Sequence, residues 1–224
     1  MNDPEANILA ALIGSLIGSV SVVFVSHWLQ RRSEKFQQHE NTVHRYLLQL
    51  QDSVETLWYR CKNLRDNGGK KVMSDTYYEM TMLYSLGRVF AFNRIMLLDG
   101  IYSEIERHKK DLGTSLRTKL ADIEYNLDNI RGLRLYRYDR LSLAESVMNI
   151  EQERRQISTY LNFRRSYEDP NSMLKELLRP AHKFITDLQP SHVDNIMKEL
   201  AELASILERE TKIETGIMSN TKDH

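Results

Sequence analysis

This chain is short of the residues that staple, bend and punctuate a fold. It has one cysteine, Cys61, so no internal disulfide can form, and that fits a reducing compartment. Its 224 residues include only four prolines and nine glycines, and two of those glycines sit inside one apolar run; such scarcity argues against a turn-rich β fold. Neither sign of charge is in excess: 31 basic residues balance 31 acidic ones, which removes any global electrostatic case for nucleic acid. No Asn-x-Ser/Thr glycosylation acceptor occurs.

Catalytic and metal signatures are scarce as well. The segment His39-Glu40-Asn41-Thr42-Val43-His44 resembles a zincin motif but places its histidines five apart. The motif needs four, and the extra residue turns the second histidine away around the helix. No Glu-x-x-His pair is present to build a carboxylate-bridged di-iron site. Asp66-Asn67-Gly68-Gly69-Lys70-Lys71 lacks the spacing of a phosphate loop and reads as a helix stop. No paired acid and base or activated nucleophile is evident, so the expectation is a protein that binds without catalysing, with no metal and no cofactor.

What is present begins with Ile8 to Leu29, ILAALIGSLIGSVSVVFVSHWL, a run without Asp, Glu, Lys or Arg. A helical span needs roughly 20 apolar residues, and this run has that length. The N-terminal flank MNDPEAN is acidic and the exit is bulky, Trp28 followed by Arg31 and Arg32, which is unlike a cleaved signal peptide. The basic side belongs in the cytoplasm. The reading is an inner-membrane, single-pass chain: residues 1–7 outside, 8–29 spanning, 30–213 a cytoplasmic helical bundle, and 214–224 a frayed tail. Ala6, Ala10, Gly14 and Gly18 form a small-residue row on the span, suited to helix pairing in the bilayer.

Beyond the span the pattern is helical. Val43, Leu47, Leu50, Val54, Leu57, Cys61 and Leu64 make a strict heptad seam, able to pair with a second copy as a coiled coil or with later helices of the same chain. Cys61 on that seam reads as a core thiol. Ser74 starts a helix that is apolar nearly all round from Tyr77 to Leu98, which belongs at the centre of a bundle, with Gly87 requiring close approach of a neighbour. A helix of mixed character reaches Gly113. Thr114 then caps a helix with the stripe Leu116, Leu120, Ile123, Leu127 and Ile130. Another helix is expected over Leu141–Arg155, followed by a less regular stretch to Tyr167. A helix kinked at Pro180 follows, and a last one opens at Gln189-Pro190-Ser191 with its stripe from Val193 to Leu207. The fold class is therefore all-α, a transmembrane helix followed by an antiparallel bundle.

One stretch breaks the helical period. Arg131, Arg134, Arg137 and Arg140 recur every three residues, with Tyr136 and Tyr138 between them. Guanidinium forks suit phosphate or carboxylate, and tyrosines stack, so these six residues are the expected docking point for a small anionic ligand or a cytoplasmic protein. The bland alternative has the arginines pairing with helix carboxylates. Arg164 and Arg165 join the patch if the fold brings them close.

The segments LWYRCKNLRDNGG, SDTYYEMTMLYSLGRVFAFNRI, LYRYDRLSLAESVM and FRRSYEDP resemble a group of uncharacterised bacterial single-span membrane proteins with a helical domain. The resemblance covers most of the chain beyond Gln49 and implies placement alone, without an activity or ligand. Two roles follow as expectations. One is a membrane-anchored interaction, sensing or scaffolding protein. The other is an effector that oligomerises through Ala10, Gly14 and Gly18 and perturbs the bilayer when its domain is signalled.

Overall fold

A computed structural model describes residues 30–31, 40–67, 75–130, 132–151 and 154–217. The chain divides into two compact units, residues 1–42 and 43–224. In the first, the described residues 30–31 and 40–42 are helical. The run 8–29, with Ala10, Gly14 and Gly18, lies outside the described residues, as do Arg131 and Ser74. Among the described residues, no helix is long and apolar enough to cross a membrane.

The second unit is built almost wholly of helices. Its first helix, α1, covers residues 43–66 of this unit, and Asn67 follows in a turn where the sequence predicts the Asn-Gly stop. All seven seam residues from Val43 to Leu64 are buried, together with Trp58, and all belong to the chain's own core. The seam is thus covered within the unit, the second of the two pairings that the sequence allowed. Burial also accounts for Cys61, whose thiol desolvation pushes up to about 12.

Helix α2, Asp75–Leu98, is the central element, as its all-round apolarity predicts. It packs against α3 (Ile101–His108), α5 (Arg137–Ser146), α6 (Tyr160–Glu168) and α8 (Arg179–Asp187). Gly87 is the point of closest approach to α5. A Cβ there would stand 3.1 Å from the Leu143 carbonyl oxygen and 3.1 Å from Val147 Cγ1. Helix α4, Leu112–Asp128, buries Leu116, Leu120, Ile123 and Leu127 against α9, Pro190–Thr211. Lys119 of α4 reaches Glu199 at 3.2 Å and Glu202 at 2.5 Å on α9.

Several boundaries differ from the sequence reading. Helix α3 ends at His108, and α4 begins at Leu112 after Asp111 turns through φ 66°, so Thr114 lies inside the first turn. Its N–H donates to the Glu106 carboxylate, which also accepts from the Asp111 N–H at 2.8 Å. Glu106 therefore caps this helix from the preceding one. The expected Leu141–Arg155 helix stops at Ser146. An antiparallel hairpin follows, β1 (Met148–Glu151) against β2 (Arg154–Ile157), in the register Met148 with Ile157 through Glu151 with Arg154. Pro180 produces no kink. The chain breaks at Leu178 between α7 (Leu174–Leu177) and α8, and Pro180 occupies the first turn of α8, where its missing N–H costs nothing.

The tail does not fray at Glu214. Lys212 turns the chain at φ 62°, and residues 213–217 lie back against α1. Gln51 donates to the Ile213 carbonyl at 2.7 Å and accepts from Thr211 Oγ1 at 2.6 Å. The Gly216 N–H donates to Glu55 at 2.8 Å, and Ile217 is fully buried. Residues 218–224 lie outside the described residues.

A candidate docking ridge before α5

The chain leaves α4 at Asp128 and turns at Gly132, whose φ of 80° suits glycine. A short extended stretch, residues 133–136, then leads into α5. Extended chain alternates its side chains between two faces. Leu133 packs on the core and Leu135 is fully buried, while Arg134 and Tyr136 point outward. That period of two is why the stretch shows no helical pattern.

Once α5 begins, Arg137 and Tyr138 remain outside, and Arg140, three residues on, turns inward. Tyr136 is 60% exposed and Tyr138 81%, whereas Arg140 is 6% exposed. The arginines recurring every three residues therefore serve two different purposes. Arg134 and Arg137 are displayed and have no carboxylate within ion-pair distance among the described residues. Arg140 is structural. Its Nη1 donates to Asp128 Oδ1 and, at 2.6 Å, to the Leu135 carbonyl, and its Nη2 lies 3.5 Å from Glu124. Among the described arginines of the stretch, the bland alternative thus holds for Arg140.

Arg140 is also the end of a longer polar chain. Tyr102 of α3 donates to Asn93 of α2 at 2.7 Å, and Asn93 donates to Glu124 of α4 at 2.9 Å. Burial raises the Tyr102 hydroxyl well above the ordinary phenol value, which keeps it a donor. Four helices are joined through this network, and the loop is fixed at both of its faces. Leu135 pegs it into the core, its N–H bonded to the Leu127 carbonyl at 3.3 Å, and Arg140 holds its carbonyl.

Arg137 and Arg140 also line a cleft of about 180 Å³ between α2, α4 and α5, together with Arg94. Arg94 pairs with Glu145 at 2.8 Å, so most of the charge in this cleft is already neutralised. Tyr136, Tyr138 and Arg134 do not line it. Arg164 pairs with Glu168 at 2.8 Å on α6, a helix that packs on α2 and α7, and its expected union with the ridge is not among the described contacts.

Elsewhere, the described residues include no group of three or more His, Cys, Asp or Glu side chains able to hold a metal. One cluster that the sequence reading missed is Arg45, Arg154 and Arg155, which meet across a second cleft. No local signal reveals it, because the two ends of the cluster lie far apart in the chain. Compared with protein-family models, curated proteins and solved structures, the chain matches none of them.

Proposed function

We propose that this chain is a membrane-tethered, antiparallel helical docking protein, and that the exposed ridge Arg134, Tyr136, Arg137 and Tyr138 receives an acidic protein partner. The observation that carries the reading is the way the ridge is built. Arg and Tyr are the residue types that dominate binding energy at protein interfaces, and rigid display lowers the entropic cost of docking. Here Arg134 and Tyr136 stand on a loop pegged by Leu135 and held by Arg140, and Arg137 and Tyr138 on the first turn of α5. The role is binding, by interaction, sensing or scaffolding, rather than catalysis. The tether rests on the charge-free run 8–29 with its acidic and basic flanks, which favours an inner-membrane position with the bundle in the cytoplasm.

Two measurements test this. In membranes from cells carrying the full chain, alkaline carbonate should leave it in the pellet; release into the supernatant removes the tether. A photo-crosslinking residue at Tyr138 should trap a discrete partner. Arg134→Ala/Arg137→Ala should abolish the adduct without lowering the melting midpoint, and an unchanged adduct removes the ridge. The effector reading draws on the row Ala10, Gly14 and Gly18 and separates cleanly. Gly14→Leu/Gly18→Leu should abolish an effector's action on the bilayer and leave docking intact.

A further inference from the structure

A second cleft of about 180 Å³ opens between α1, α2 and β2 and shares no residue with the ridge. Arg45 stands on one wall and Arg154 and Arg155 on the other, over a floor of Phe92, Ile95 and Ile157. Its charge balance is unlike that of the cleft beside α5. No Asp or Glu lines it, and Arg155 is paired with Asp99 just past the end of α2. Among the described residues, Arg45 and Arg154 have no carboxylate within ion-pair distance; Arg45 lies 5.7 Å from the ring centre of Tyr46.

Three arginines from two elements line this cleft, and the like charges of Arg45 and Arg154, with no carboxylate within ion-pair distance among the described residues, repel one another. An anion between them removes that repulsion, and the apolar floor keeps the local dielectric low enough for the attraction to count. Guanidinium forks pair bidentately with oxyanions. Two free arginines match a dianion better than a monocarboxylate. Gln49 and Gln156 line the same space, and neither brings a charge that competes with an anion. The hairpin itself has a reason here. It is the sole departure from helix among the described elements, and it delivers Arg154 and Arg155 to α1.

We propose that this cleft is a binding site for a phosphate monoester, taking the phosphate between Arg45, Arg154 and Arg155 and a compact organic substituent over Phe92 and Ile95. The same chemistry is offered by a soluble phosphate ester and by a phosphatidate headgroup. The site does not depend on what docks at the ridge.

The test uses the full chain in phosphatidylcholine nanodiscs, with phosphorus NMR and the melting midpoint as readouts. Glycerol 3-phosphate is one probe and phosphatidate mixed into the nanodisc is the other. The expected result is saturable broadening of the probe's phosphorus resonance with a raised midpoint. Arg45→Ala/Arg154→Ala should weaken the Kd by about tenfold or more, the loss of one good charge-assisted contact. Arg134→Ala/Arg137→Ala should leave it unchanged. Both arginines of the first pair are exposed, so the fold should survive; if the midpoint of the double variant falls, Arg45→Gln alone gives the same reading. Saturation by glycerol 3-phosphate assigns a soluble ester, and a response confined to phosphatidate assigns a lipid headgroup; either upholds the site. Equal competition by succinate overturns the phosphate assignment. No response to either probe, or an equal response in the double variant, overturns the proposal.

Discussion

Arg140→Ala should destabilise the bundle by about 2–3 kcal/mol, and the figure follows from how its partners are exposed. A fully buried ion pair stripped of one member costs about 3–5 kcal/mol, and an exposed pair at most about 1. The Arg140 side chain is 8% exposed, but Asp128 is 37% and Glu124 30% exposed, so water repairs part of the loss. Two facing carboxylates and the Leu135 carbonyl remain without their shared donor. For a domain of this size that penalty lowers the melting midpoint by roughly 5–10 °C. Far-ultraviolet circular dichroism of the full chain in mild detergent measures it. Arg134→Ala and Arg137→Ala, which remove displayed side chains, should stay within about 0.5 kcal/mol. Arg140→Lys keeps the charge without the fork and should fall between. If Arg140→Ala melts with Arg137→Ala, or Arg140→Lys melts with the native chain, the division into one structural and two displayed arginines is wrong.

Gly87→Ala should destabilise by about 1 kcal/mol despite the better helix propensity of alanine, because the new methyl meets a Leu143 backbone oxygen that cannot rotate aside; a raised melting midpoint would refute the close approach. Cys61 should react with a maleimide about a thousandfold more slowly than an unfolded thiol, since its pKa rises from 9.0 to about 12; comparable rates in native and urea-unfolded protein would count against its burial. Hydrogen bonds from Thr114, side chain and backbone, and then from the Asp111 N–H hold the Glu106 carboxyl below the ordinary glutamate value of 4.5. A lowered folded value adds stability that is complete above the unfolded value and is lost as pH falls through the folded one. The melting-midpoint gap between the native chain and Glu106→Ala should therefore be constant near neutrality and close as pH falls below 4.5; a gap that persists in acid would refute the cap.

Apolar periodicity made the scaffold readable from sequence. The α1 seam, the all-round apolarity of α2 and the stripes of α4 and α9 each repeat over several turns, and each is buried over most of its length, with Tyr77, Leu97 and Leu98 of α2 exposed. Elements that owe their place to polar pairing stayed hidden. The hairpin has few apolar residues, and one of them, Ile150, is 73% exposed. Thr211 and Thr215 are buried because Gln51 and Glu208 satisfy them, so hydropathy reads that end of the chain as solvent-facing. Helix α4 starts two residues before Thr114 because the capping carboxylate comes from α3, and a cap supplied from another helix leaves no local motif. At the ridge the residue types suggested docking chemistry. The spacing misled, because a repeat of three crosses from extended chain into helix between Tyr136 and Arg137.

The burial of the α1 seam constrains how any signal from the proposed membrane tether reaches the bundle. Exchange of that seam for a second copy of the helix would withdraw Leu47, Leu50, Val54, Leu57, Cys61 and Leu64 from the core. Each buried aliphatic side chain is worth roughly 1.5–3 kcal/mol, so the exchange costs on the order of 10 kcal/mol, comparable with the whole stability of an ordinary domain. The C-terminal segment adds to this, since Gln51 and Glu55 of α1 hold residues 211–216. Helix α1 is therefore a fixed member of the bundle over residues 43–66, and a change in oligomeric state at the bilayer cannot be relayed by re-pairing it. What such a change can alter is the separation of whole bundles. On the proposed docking reading, two copies brought together present two ridges to one partner, and the second engagement then becomes intramolecular. Tethering two bundles by a dimerising fusion at the C-terminus should accordingly strengthen partner retention at the ridge without changing the melting midpoint. A dimerised chain that holds its partner no more tightly than the undimerised one would show that the ridge acts singly.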